Sequence, residues 1–167
     1  RETDGKAKIR ICDTLGLGFP DPYVSLPMGV PLLISTVIAE TGAEIEWHGH
    51  NDFGFATANS VLAWRYGARR VNVAFGGLGE RTGNTTLEQM VADYIRLYGN
   101  PGFDLSALRE MANLIRDRVS NVNIKSPIVG AGIFSTQAGI HQAGVARQAQ
   151  AEGGDIYLPF GPELLGE

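Results

Sequence analysis

The chain has 167 residues, and 14 Lys and Arg against 18 Asp and Glu give a net charge of −4, a balance that argues against binding polyanions such as nucleic acid or an anionic membrane. Hydrophobic residues make up 44% and charged residues 19%, as in a chain that buries a core and unlike a disordered one. A single cysteine, Cys12, excludes an internal disulfide and points to a reducing, cytoplasmic setting; the longest uncharged apolar stretch, residues 26–39, contains Pro27 and Pro31 and is shorter than the roughly 20 residues that span a bilayer.

Lys8 to Asp13 alternates Ile9 and Ile11 with Arg10 and Cys12, a strand pattern, and runs into the loop Thr14-Leu15-Gly16-Leu17-Gly18. After a Pro-punctuated loop (Pro20, Pro22, Pro27), the residues Val30, Leu33, Ile34, Val37 and Ile38 have helical spacing, and Gly42 is placed to stop that helix. Glu44 to Trp47 predicts a second strand, His48 to Asp52 its end and loop, and about Gly54 to Tyr66 a second helix closed by Gly67. Val71, Val73 and Phe75 predict a third strand, residues 76–83 its loop, and Leu87, Met90, Val91, Tyr94, Ile95 and Tyr98 a third helix. Thr85 and Glu88 have capping-box spacing at its start. Three strand–loop–helix units of similar length predict parallel strands joined by helical crossovers.

Beyond Pro101 the pattern changes: Asp104 to about Val119 reads as a helix that no strand precedes, and about Ala138 to Gln150 as a polar, alanine-rich helix. The expected organisation is residues 1–102 as βα units and 103–167 as the start of a helical part. The 22 glycines gather at the junctions, and a first residue other than Met suggests a fragment of a longer protein.

Three clusters can carry chemistry. In His48-Gly49-His50, residues two apart on a strand point to one side, so both imidazoles can meet one metal ion. Glu46 shares that face, while Ile45 and Trp47 take the opposite one. The bland alternative is two surface histidines near a loop. Residues 76–84, Gly-Gly-Leu-Gly-Glu-Arg-Thr-Gly-Asn, invite a dinucleotide reading, but no following strand supplies the acidic residue that such a fingerprint needs. The third cluster centres on His141 in Gly139-Ile140-His141-Gln142; a lone helical His is more often structural than catalytic.

Taken together, Asp13-Thr14-Leu15-Gly16, His48-Gly49-His50-Asn51-Asp52, Gly79-Glu80-Arg81-Thr82-Gly83-Asn84 and Gly139-Ile140-His141-Gln142 resemble the isopropylmalate synthase and homocitrate synthase family, including the Re-type citrate synthases. The resemblance implies an α/β fold: the C-terminal portion, strands 6–8, of a (β/α)8 TIM barrel followed by the start of a helical subdomain. It implies an acyltransferase that condenses acetyl-CoA, as co-substrate, with a small 2-oxo acid, and a homodimer as the full-length protein. By position, His48 and His50 are ligands of a divalent metal (Mg, Mn or Zn), with Asn84 as a further ligand or close neighbour. Thr14 contacts the oxo acid, His141 deprotonates acetyl-CoA, and Arg81 and Glu80 of the glycine-rich block are substrate-binding and catalytic candidates. Ala143 stands where the family pattern often has Asp, and the lead-in Glu44-Ile45-Glu46-Trp47 is closer to the Re-citrate synthase branch. A carbon–carbon lyase of the hydroxymethylglutaryl-CoA type is the competing reading; its catalytic Cys belongs in the glycine-rich loop, and residues 76–84 contain none. A non-enzymatic interaction module is the other alternative.

Overall fold

The structure is a computed structural model that describes residues 8–118 and 162–166. The chain divides into two compact units, residues 1–99 and 100–167. In the first, β1 (Lys8–Asp13), β2 (Glu44–Gly49) and β3 (Arg70–Asn72) form a parallel sheet in that order. The crossovers are α1 (Val30–Thr41) and α2 (Ala56–Arg65), and α3 (Leu87–Tyr98) follows β3. Register is direct: Ile11 lies opposite Trp47 and Cys12 opposite His48, while His48 in turn lies opposite Asn72.

Alternation along β2 decides what each face meets. Ile45 and Trp47 are buried among Val30 and Ile34 of α1 and Ala63 of α2, with Ile9, Ile11 and Val71 packed around them. Full burial of side chains this size contributes about 1.5–3 kcal/mol each. The helix stop at Gly42 is as the sequence predicts: its φ of 63° is left-handed, its N–H caps the Ile38 carbonyl, and β2 begins two residues later. Helices α2 and α3 meet through Trp64, which stacks on Tyr94 at 5.5 Å and meets Tyr98 edge-on at 5.2 Å.

Two local expectations are corrected. The alternation through Val73 and Phe75 does not extend the third strand: β3 ends at Asn72, and Phe75–Gly77 forms a 3-10 turn. The returning loop competes for the backbone, since Ala74 N–H donates to Thr85 and the Ala74 carbonyl accepts from Leu87. Nor do Thr85 and Glu88 make a capping box. The N-cap of α3 is Thr86, with no side-chain cap bond. The buried Thr85 hydroxyl instead meets Ser60 Oγ at 2.6 Å, and the buried Glu88 carboxylate accepts Gly76 N–H at 2.9 and 3.0 Å. Partners on neighbouring elements outbid the local helix terminus for these side chains.

In the second unit, α4 (Ser106–Arg118) follows Asp104, whose carboxylate accepts Ser106 N–H at 3.0 Å and the Ser106 hydroxyl at 2.6 Å. These bonds hold the Asp104 carboxyl below its ordinary range. A 3-10 turn, Pro162–Leu165, packs on α4, with Ala112 and Leu165 buried. The helix expected at about 138–149, with His141, lies outside the described residues.

Candidate functional site

The three loops that leave the C-terminal ends of the strands share one rim, where parallel α/β folds build their sites. The first loop is shaped by Asp13: its carboxylate oxygens accept Leu17 N–H at 2.8 Å and Gly18 N–H at 2.9 Å, and its carbonyl accepts the main-chain N–H of His50. On the neighbouring helix, buried Asn59 donates to the Gly18 carbonyl at 2.8 Å. Thr14 is thereby presented at the rim with its side chain exposed. Further along the same loop, Leu17, Phe19, Met28, Phe53 and Phe55 line an apolar cavity of about 220 Å³.

The second loop carries the histidines. His48 is the penultimate residue of β2, and His50 lies just beyond it; their rings are 4.8 Å apart between centroids and nearly perpendicular, at 85°. Glu46 on the same face pairs with Arg10 at 2.8 Å and accepts from Asn72. Partial burial, then His50 and Arg10, hold the His48 imidazole below its ordinary pKa, with Glu46 opposing. The neutral ring so favoured is the form that ligates metal.

The third loop returns to the same place. Gly83 accepts Asn51 N–H at 2.9 Å, Thr85 N–H reaches Gly49 at 3.2 Å, and Asn84 bridges His50 in antiparallel sense. Asn84 therefore arrives beside the second histidine although 34 residues separate them in sequence. Gly79 makes room for it, since a Cβ there would stand 2.5 Å from the Asn84 carboxamide. Asn84 Oδ1 is buried with no hydrogen-bond partner, an arrangement that asks for a cation or a donor. Glu80 is exposed near the crest of this loop, and its carbonyl accepts Gly83 N–H at 2.8 Å.

Arg81 joins all three loops. Its Nε donates to Asp52 Oδ1 at 2.6 Å, and its Nη2 donates both to Asp52 Oδ2 at 2.8 Å and to the Thr14 carbonyl at 2.6 Å. That fork holds the Asp52 carboxyl below its ordinary range. His50 Nδ1 also lies 2.9 Å from the Thr14 carbonyl. Thr14, His48, His50, Asn84 and Arg81 thus converge. The roles of Asp13, Asp52 and Glu88 in holding the rim were not read from the sequence; for Asp13 the signal was available, an Asp followed at once by a glycine-rich turn whose N–H groups it can gather. Among the described residues, no three His, Cys, Asp or Glu side chains cluster as a complete metal site.

The model of the HMGL-like family matches residues 2–115. The chain is 41% identical over 155 residues to a citrate (Re)-synthase of Clostridium kluyveri, covering 90% of this chain and 34% of the relative. It is 38% identical over 165 residues to homocitrate synthase 1 of Nostoc sp., covering 97% of this chain and 40% of the relative. Among solved structures, it resembles an HMG-CoA lyase from Acenitobacter baumannii in complex with coenzyme A and 3-methylmalate, with a TM-score of 0.51, 27% identity, and coverage of 64% of this chain and 35% of that one. The chain spans about a third of the length of the first of these curated relatives, 34%. Its parallel sheet with helical crossovers is a portion of the HMGL-like barrel fold, and the chain belongs to the HMGL-like family.

Proposed function

We propose that the whole protein is an acyltransferase that condenses acetyl-CoA with a 2-oxo acid in a metal-dependent Claisen reaction. The observation that carries this reading is the pair of adjacent, edge-on imidazoles of His48 and His50, together with Asn84, which pairs with His50 through the main chain and whose buried amide oxygen has no partner. The synthase names of the relatives support it.

His48, His50 and Asn84 would hold a divalent ion, and their mixed nitrogen and oxygen donors suit Mn or Zn. When bound, such an ion supplies Lewis-acid polarisation of a ketone oxygen. Thr14, with its carbonyl occupied by Arg81 and His50, offers its exposed side chain to the oxo acid. His141 accepts a methyl proton from acetyl-CoA, the methyl carbon bonds to the ketone carbon, and the ketone oxygen takes up a proton to become a hydroxyl. Water then hydrolyses the thioester, releasing a carboxylate and the CoA thiol. A neutral imidazole suits the first step because its pKa lies near neutrality. Glu80, exposed on the loop after β3, is a second candidate for proton transfer. The preferred oxo acid, a cytoplasmic setting and a homodimeric assembly belong to this proposal; of the described residues, no helix is long and apolar enough to cross a membrane. Residues 1–102 are read as the last βα units of the barrel and 103–167 as the opening of its helical subdomain.

The test is the double variant His48→Ala, His50→Ala in the whole protein, assayed for oxo-acid-dependent release of CoA. Turnover should vanish while the circular dichroism spectrum is kept, and full retention of activity refutes the site. His141→Ala should lower kcat by about 10²–10⁴-fold with oxo acid affinity nearly unchanged. The lyase reading is favoured by the resemblance to the HMG-CoA lyase structure and opposed by the absence of Cys in residues 76–84.

A further inference from the structure

We propose that Arg81 is a positioning residue: braced by Asp52, it fixes the Thr14 carbonyl against His50, sets that histidine as its Nδ1–H tautomer and leaves Nε2 as the nitrogen offered to the ion. A carbonyl oxygen only accepts, so the 2.9 Å contact from His50 Nδ1 requires the proton on Nδ1. In a neutral imidazole Nε2 is then bare. The Thr14 carbonyl has two lone pairs, and Arg81 Nη2 at 2.6 Å takes the other. The same guanidinium grips both oxygens of Asp52, so one side chain ties the loop after β1 to the loop after β2 from the loop after β3. An ammonium group cannot reproduce that planar fork.

The backbone points the same way. Arg81 has φ of 52°, a left-handed conformation that a residue with a Cβ rarely adopts and that persists where its surroundings impose it. A glycine would hold this turn more easily, so the arginine is there for its side chain. Because the Arg81–Asp52 pair is solvent-accessible, it contributes little to folding stability, and its effect falls on the orientation of His50. Hydrogen bonds to the far nitrogen of a ligating histidine act in this way in metal sites.

The consequence for metal affinity rests on the proposed metal site, whereas the tautomer does not. The experiment therefore reads both in the whole protein. Long-range ¹H–¹⁵N correlation on metal-free protein reports the His50 tautomer, and calorimetric titration with Mn²⁺ reports affinity, for wild type, Arg81→Lys, Arg81→Gly and Asp52→Asn. Arg81→Gly suits the left-handed turn, so it removes the fork without threatening the fold, and its Tm should stay within about 3 °C of wild type. Wild type should show only Nδ1–H, the variants a mixture of tautomers, and Mn²⁺ affinity should fall about 10–100-fold. A single Nδ1–H form with wild-type Mn²⁺ affinity in Arg81→Gly and Arg81→Lys overturns the inference, as does an Nε2–H tautomer in wild type. A wild-type protein that binds no Mn²⁺, yet whose variants lose the pure tautomer, sustains the positioning role and overturns the metal site.

Discussion

The two faces of β2 differ although they alternate along the same six residues. Ile45 and Trp47 are dry, covered by α1 and α2; Glu46 and His48 are half-buried and surrounded by Arg10, Asn72 and His50. A parallel sheet is usually apolar on both faces, so polar groups crowded on one face mark it as something other than a packing surface. The helix-facing side packs the core, and the other side carries the proposed site.

Substitutions on the two faces should therefore separate stability from function. The largest effect belongs to Trp47→Ala, which empties the centre of the dry face and should cost about 3–5 kcal/mol in urea denaturation of the whole protein. Gly79→Ala comes next and touches only the other side: its Cβ would displace the Asn84 carboxamide, and Mn²⁺ affinity should drop about tenfold while the denaturation midpoint holds. An unchanged affinity there would mean that Asn84 does not contribute to the site.

Glu88 sharpens the contrast through pH. Burial raises its carboxyl above the ordinary range, against the opposing pull of backbone N–H groups. The folded state therefore holds this proton more tightly than the unfolded chain, so its contribution to stability falls as pH rises from the ordinary carboxylate range through the raised value, and is level above it. Glu88→Gln keeps an acceptor for Gly76 N–H and should flatten that part of the stability–pH curve; an unaltered slope assigns the dependence to other groups. The smallest stability effects should come from the polar face. His48→Ala and Arg10→Ala should each cost less than about 1 kcal/mol, with Arg10→Ala further weakened in its effect by salt, because the Arg10–Glu46 pair is solvent-accessible on the arginine side. A loss comparable with that of Trp47→Ala would show that this face, too, is core.

Much of this arrangement was legible beforehand because it depends on neighbours in sequence. The period of two in Ile9 and Ile11, the helical spacing from Val30 to Ile38 and the stop at Gly42 are local patterns, and the structure repeats them in β1 and α1. The shared face of Glu46 and His48 follows from strand geometry alone. Less local features failed: Val73 and Phe75 alternate like a strand, yet Thr85 and Leu87 claim the backbone of Ala74, and Thr85 and Glu88 have the spacing of a capping box but find partners on other segments.

By itself the sequence determined the βα periodicity, the dry and polar faces of β2 and the residue types able to bind a metal, since each follows from side-chain chemistry repeated at a fixed backbone interval. The resemblance already grouped Asn84 with the histidines; only the tertiary structure decided that it meets His50 through a main-chain bridge, that its amide oxygen is left without a partner, and that Arg81 reaches Asp52 and Thr14. Those contacts join loops after three different strands, and their geometry is set by the register of the sheet and the return path of residues 76–86, which no interval along the chain encodes.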